Sequence, residues 1–293
     1  MPDNGTYLLI NVGFSKEEKP ILILQRDDMF VPMQPIGLTF TMTFDLSQRY
    51  CVGWRDMTEG VRHTCPNKQT VLPKYEQCAA CQSRTGFNPA FYHASTVSTQ
   101  QEARNLEPHI LYLAHFGSEV IKVGISHAKR GRTRLLEQGA RSALILDELP
   151  SAHIARQYEA QIVTVPGITE SIQLRKKVTL LATQYDHVAA IKELNGMKQA
   201  IETKLAITFS NNEVASLDSL YFPHSAPQLP DTHSVADRHF ISGQGTGMMG
   251  SLLFCQQQEE VYYTGLKKYV GYNIEITDIV TPIATAPRQT SLF

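Results

Sequence analysis

Four of the five cysteines in this 293-residue chain fall in one stretch, at Cys51, Cys65, Cys78 and Cys81. Cys78 and Cys81 have the two-residue spacing that lets a single tight turn present two sulfurs to one ion. Thirteen residues stand between Cys51 and Cys65, so that pair has to converge from two segments. Four thiolates complete a tetrahedral shell and leave no open position, which is the form of a structural Zn2+ site. The N-terminus, Met1-Pro2-Asp3-Asn4-Gly5, lacks the charged and apolar regions of a signal peptide, and a reducing, cytoplasmic setting is expected. There, clustered cysteines point to a metal rather than to disulfides, the alternative being buried or redox-active free thiols. His63, two residues before Cys65, could substitute as a ligand, and the single tryptophan, Trp54, is expected to pack over the site.

The apolar share of 42% is that of a globular protein, and no apolar run approaches the length of about eighteen residues that a membrane helix needs. No membrane partner is therefore expected. The net charge is -1, so no global field draws the chain to nucleic acid and any basic surface must be local. Residues 1–50 read as β-rich, with runs at Tyr7 to Val12, Ile21 to Leu24 and Leu38 to Phe44; in the last, Leu38, Phe40, Met42 and Phe44 alternate with polar positions as a half-buried strand does. The metal-binding segment spans 51–105 and a central α/β module with trailing helices spans 106–208.

Within that module the pattern predicts a strand at Ile110 to Ala114, a turn near Phe116-Gly117-Ser118 and a strand at Val120 to Ile125. A basic helix from Lys129 to Ala140 follows, closed by Gly139, then a strand at Ala143 to Leu146. The next helix has Ser151 as its N-cap and turns Ile154, Tyr158 and Ile162 to the core, with Glu159 at the edge of that face. Lys122, Lys129, Arg130, Arg132 and Arg134 lie within thirteen residues and make a local basic face suited to phosphates, or else a solvated helix face.

This order of elements resembles a GIY-YIG nuclease module. Ile110-Leu111-Tyr112 stands where such modules have their first tripeptide, and Lys122-Val123-Gly124 stands in place of the second, with glycine missing from the first and tyrosine replaced by Lys122 in the second. The resemblance implies that Tyr112 orients or deprotonates an attacking water, Arg132 neutralises charge on the phosphate, and Glu159 ligates a catalytic Mg2+ or Mn2+. Lys122, Lys129, Arg130 and Arg134 would contact nucleic acid, DNA before RNA. A cysteine after a strand, Cys65-Pro66-Asn67, the Cys78-to-Cys81 knuckle and then a strand pair leading into Glu137-Gln138-Gly139-Ala140 resemble the family called domain of unknown function 2797, a likeness that covers nearly the whole chain from the N-terminal strands to the C-terminal glycine-rich stretch. That resemblance implies an architecture, a zinc segment joined to a GIY-YIG-like module.

Residues 170–205 are helical in pattern, with a break expected at Asn195-Gly196. Residues 209–240 read as a loop or linker whose histidines, His224, His233 and His239, match no ligand spacing. The glycines of 242–250 suggest tight turns between strands rather than a phosphate loop, since no lysine follows. Strands at Val261 to Tyr263 and Tyr269 to Ile276 complete a C-terminal β region, 241–280, expected to pair with the N-terminal strands. In the tail, 281–293, Gln289, Leu292 and Phe293 resemble the pentapeptide that docks bacterial polymerases and repair proteins on the DNA polymerase sliding clamp. The expectation is thus an α+β protein acting on nucleic acid, as a divalent-metal endonuclease in repair or replication or as a non-catalytic zinc-containing binding module.

Overall fold

The computed structural model describes residues 2–87, 97–169, 171–181, 183–224, 232–235 and 239–283. Along the chain, strands β1 (Gly5–Phe14), β2 (Pro20–Arg26), β3 (Met29–Met33) and β4 (Thr39–Arg49) come first. The cysteine segment carries β5 (Trp54–Arg55), β6 (Arg62–His63) and helix α1 (Ala79–Thr85), and α2 (Thr99–Asn105) leads out of it. The central module comprises β7 (His109–Gly117), β8 (Val120–His127), α3 (Thr133–Gln138), β9 (Ser142–Leu149), α4 (Ala152–Ile162) and β10 (Ile168–Thr169). Helices α5 (Leu174–Leu181) and α6 (His187–Leu205) follow, then β11 (Val214–Ser216), α7 (Asp218–Tyr221) and β12 (Thr232–Ser234). The chain closes with β13 (Phe240–Met249), β14 (Leu252–Gln257), β15 (Glu260–Gly265) and β16 (Tyr272–Thr277).

The N- and C-terminal β regions form one nine-stranded sheet in the order β12-β15-β14-β13-β4-β16-β1-β2-β3. Strand β4 is its seam, pairing with β13 on one side and β16 on the other. The alternation expected for β4 holds in part: Phe40, Met42 and Phe44 are buried while Thr39 and Thr43 are exposed, but Thr41 between them is buried too, its hydroxyl paired with that of Ser242. A second sheet, β10-β8-β7-β9-β11, carries the central module. Its β7 is buried along its whole length, one face serving each of two cores. Ile110, Tyr112, Ala114 and Phe116 join the core shared with the large sheet, together with Leu135 and Leu136 of α3. Leu111 and Leu113 face the other way, into a core closed by Ile162 of α4 and by Leu194 and Ile201 of α6.

Several local expectations change. The glycine-rich stretch is not a set of turns but strand β13, and its glycines answer to close neighbours. A side chain at Gly245 would meet the Pro35 carbonyl oxygen at 2.2 Å, and one at Gly247 the Phe222 ring at 2.2 Å. Helix α6 runs unbroken through Asn195-Gly196, because Gly196 faces open space and the helix simply tolerates it. The helix starts instead at Asp186, whose carboxylate accepts hydrogen bonds from the Val188 and Ala189 N–H groups. The stretch read as a loop contains β11, α7 and β12. On α4 the buried stripe is Ala152, Ala155 and Ile162, leaving Ile154 exposed, while Ser151 caps the helix as expected by accepting from the Ile154 N–H. Gln289, Leu292 and Phe293 lie outside the described residues.

Candidate metal centre and cationic site

The cysteine segment folds around its sulfurs. Cys51 leaves the end of β4, Cys65 follows the β5–β6 hairpin, and Cys78 and Cys81 sit at the start of α1. All four are buried, and their sulfurs lie within 4.8 Å of one another, with Cys65 Sγ to Cys78 Sγ at 4.0 Å. A tetrahedral ion with metal–sulfur bonds of about 2.3 Å places its sulfurs roughly 3.8 Å apart, so the four are positioned to bind a metal. The Cys78 N–H donates to Cys51 Sγ at 3.2 Å, the type of bond that stabilises a thiolate. Gly53 is needed in this loop: its φ is +80°, and a side chain there would lie 2.0 Å from the His63 carbonyl oxygen. Trp54 packs on the sulfur cluster, as expected, and stacks on His63 with ring centroids 3.9 Å apart. His63 therefore flanks the four-sulfur set as the partner of Trp54 across β5 and β6.

Without a cation these thiols would resist ionising together. Burial pushes Cys51 up to about 11 and Cys81 also upward, while Cys78, against its own desolvation, is held below the usual thiol value by the Cys81 N–H and the neighbouring sulfurs. A bound divalent ion reverses that balance by supplying the opposite charge.

A second arrangement centres on Tyr112. In the β7–β8 pair Tyr112 lies opposite Gly124 and Ala114 opposite Lys122. The Tyr112 ring crosses over Gly124, where an added Cβ would meet the hydroxyl oxygen at 2.5 Å. Gln138 of α3 donates from Nε2 to that oxygen at 2.6 Å. Arg134, one turn before Gln138 on α3, turns the same way, and its charge draws the phenol downward against the burial that raises it. Burial and the Arg134 charge together lower Lys122, with Glu159 opposing them. Glu159 also acts on Tyr112, and its Oε2 is engaged by Arg156.

A residue from outside the strand pair completes the group. Lys177 of α5 donates from Nζ to the Gln138 carbonyl and lies over the Phe116 ring, 5.2 Å from its centroid. Burial, then Lys122, then Arg134 lower it to about 8.

The family model described as Protein of unknown function (DUF2797) matches residues 37–274. The chain belongs to this family. The matched span contains all four cysteines together with Tyr112, Lys122, Arg134, Glu159 and Lys177. No match was found among the curated proteins or the solved structures.

Within this family member the structure sorts the residues expected at the site. Arg134 and Glu159 each come within electrostatic reach of both Tyr112 and Lys122. Arg132 does not. It stands at the N-cap of α3 and makes a bidentate ion pair with Glu18, both bonds 2.7 Å, tying the helix to the β1–β2 hairpin. Lys129 pairs with Glu107 at 2.7 Å and Arg130 pairs with Glu137, so both basic charges are already matched. The single basic helix expected over 129–140 is a 3-10 turn, Ala128–Arg130, followed by α3, because Gly131 at φ +48° interrupts it. Gln138 is legible only as part of the Glu137-Gln138-Gly139-Ala140 stretch, with no role attached, and Lys177 only as one of the basic run Arg175-Lys176-Lys177, of which Lys177 alone is partly buried. Among the described residues no helix is long and apolar enough to cross a membrane.

Proposed function

We propose that the protein binds the phosphate backbone of nucleic acid at the site around Tyr112 and hydrolyses a phosphodiester bond there, in the manner of a divergent GIY-YIG nuclease. The observation that carries this reading is the convergence of the Arg134 and Glu159 charges on both Tyr112 and Lys122, which stand on neighbouring strands with Tyr112 opposite Gly124 and Lys122 opposite Ala114. Burial keeps the phenol protonated, so Tyr112 orients a water or a phosphate oxygen as a hydrogen-bonding group. Arg134, in place of Arg132, offsets the negative charge that builds on the phosphate. Glu159 would hold Mg2+ or Mn2+, whose chemistry is to polarise the phosphate and activate water. The four cysteines would hold a structural Zn2+, and Gln289, Leu292 and Phe293 would dock on a sliding clamp.

A second reading, a binding module without catalysis, draws support from the 1% exposure of Tyr112 and from the Arg156 partner that occupies Glu159. One experiment separates the two: labelled single-stranded, duplex and branched DNA and RNA with Mg2+ or Mn2+, using wild type, Glu159→Ala, Arg134→Ala and Arg132→Ala. Cleavage lost in Glu159→Ala and Arg134→Ala but kept in Arg132→Ala supports the nuclease. Binding without cleavage in the wild type gives the module, and neither would sink both.

A further inference from the structure

Folding normally places a half-buried cation beside a carboxylate or leaves it to water, because desolvating an unpaired charge is costly. The group around Tyr112 does otherwise. Among the described residues no carboxylate lies within ion-pair distance of Lys122 or Lys177, although both are partly buried. Among the described residues the one carboxylate that Arg134 reaches is Glu137, at 3.8 Å, and that carboxylate is already engaged by Arg130. Glu159 is engaged by Arg156.

The placement of these cations is fixed by rigid elements. Tyr112, Ala114 and Phe116 follow one another on a single face of β7. Lys122 enters that face opposite Ala114, and Lys177 lies over Phe116. Gln138 ties the two ends together, its side chain bonded to Tyr112 and its carbonyl to Lys177. Arg134 stands one turn away on the same helix. The result is a group of cations along one face of β7, near the buried Tyr112 and Phe116 rings and open to solvent through Arg134, whose side chain is 39% exposed.

Counting charge around this group gives Lys122, Arg134, Lys177, Arg130 and Arg156 against Glu137 and Glu159. An internal phosphodiester brings one negative charge, whereas a phosphomonoester brings close to two at neutral pH, along with one more unesterified oxygen to accept hydrogen bonds. We propose that Lys122, Arg134 and Lys177 form a cup for a dianionic phosphate, the terminal phosphomonoester of a nucleic-acid strand, with Lys177 as the cation that separates a strand end from an internal phosphate. The inference rests on the reading of this site as one for nucleic-acid phosphate.

The groups facing Lys177 are Lys122 from β8, Arg134 and the Gln138 carbonyl from α3, and Phe116 from β7, with Tyr112 beside them and the Glu159 charge acting through Lys122. Its ammonium, lowered to about 8, is protonated at pH 7 and largely neutral at pH 9. Affinity for a terminal phosphate is therefore close to full at pH 7, about half at pH 8, and down by about ten-fold at pH 9, one unit past that value.

The test compares binding of a single-stranded oligonucleotide with a 5′ phosphate, the same strand with a 5′ hydroxyl, and inorganic phosphate, at pH 7 and pH 9, without divalent metal. The proteins are wild type, Lys177→Gln and Lys177→Arg. The expected result is a preference for the phosphorylated end of about ten-fold or more, lost in Lys177→Gln. In Lys177→Arg the preference persists and the fall between pH 7 and pH 9 disappears, because a guanidinium stays charged. A purely structural Lys177 would not give that change in pH profile. Equal binding of both strands by wild type overturns the proposal. Binding of inorganic phosphate in a Lys177-dependent way without oligonucleotide binding upholds the cup and removes the nucleic-acid reading. Absence of binding by all three probes overturns the cup as well.

Discussion

Gly124→Ala tests whether the Tyr112 ring lies across the β7–β8 pair as described. The backbone at Gly124 is not in the left-handed region, so alanine fits its φ, and by itself the change should stabilise by about 0.4–1 kcal/mol through the unfolded chain. Its methyl, however, would sit 2.5 Å from the Tyr112 hydroxyl oxygen, 2.7 Å from Cζ and 3.0 Å from Cε2, where carbon contacts relax only near 3.5–4 Å. A ring that is 1% exposed and bonded to Gln138 has nowhere to swing. Overpacking of this kind costs about 1–3 kcal/mol, and loss of the Gln138 bond adds about 1 more. The net destabilisation expected is roughly 1–3 kcal/mol, read as a shift of the urea midpoint at constant slope. Tyr112→Ala alone should cost about 3–5 kcal/mol. In the double variant the methyl meets no ring, so Gly124→Ala becomes neutral or stabilising and the two changes combine with a coupling of about 2–3 kcal/mol. Additivity to within about 0.5 kcal/mol would refute the packing of Tyr112 on Gly124.

Three further outcomes follow from other parts of the structure. Purified protein should carry one equivalent of metal by elemental analysis, lost in Cys78→Ser and Cys81→Ser, and a strong chelator should lower its thermal midpoint; zinc retained in both variants refutes the four-sulfur site. Arg141, which pairs with Asp218 at 2.7 Å and also donates to the Leu180 and Thr183 carbonyls, is buried with its partner, so Arg141→Leu should destabilise by about 3–5 kcal/mol in urea unfolding. His109, His115 and His127 are each lowered first by burial, so below their unfolded value of about 6.5 the unfolded chain takes up protons that the folded one refuses. Stability should therefore fall as pH falls from 7 to 5, and a thermal midpoint that rises over that range contradicts their neutral burial.

What the sequence disclosed was what is settled within a few residues: the alternation of β4, the Ser151 and Gly139 caps, and the cysteine knuckle. Pairings that span the chain left no local trace. Thr41 reaches the Ser242 hydroxyl at 2.7 Å across 201 positions, and β13 read as turns because its glycines answer to Pro35 and Phe222 rather than to their neighbours. That Arg134 rather than Arg132 lies near Tyr112 has the same cause on a smaller scale. Both lie in one basic run, and composition treats them alike. Two residues apart, they point about 200° apart around a helix axis, so only one of them can face the strand pair. Which one is decided by Gln138: four residues on from Arg134, it shares that face and bonds Tyr112, and the face is held there by Leu135 and Leu136 in the core. Arg132 is left to the far side, where Glu18 arrives from a hairpin 114 residues away. The site is thus set by the phase of a six-residue helix against a strand. A change that rotates α3, such as a bulky residue at Gly139, where Met249 Cγ stands 3.3 Å from an added Cβ, should disturb phosphate binding without touching any cation.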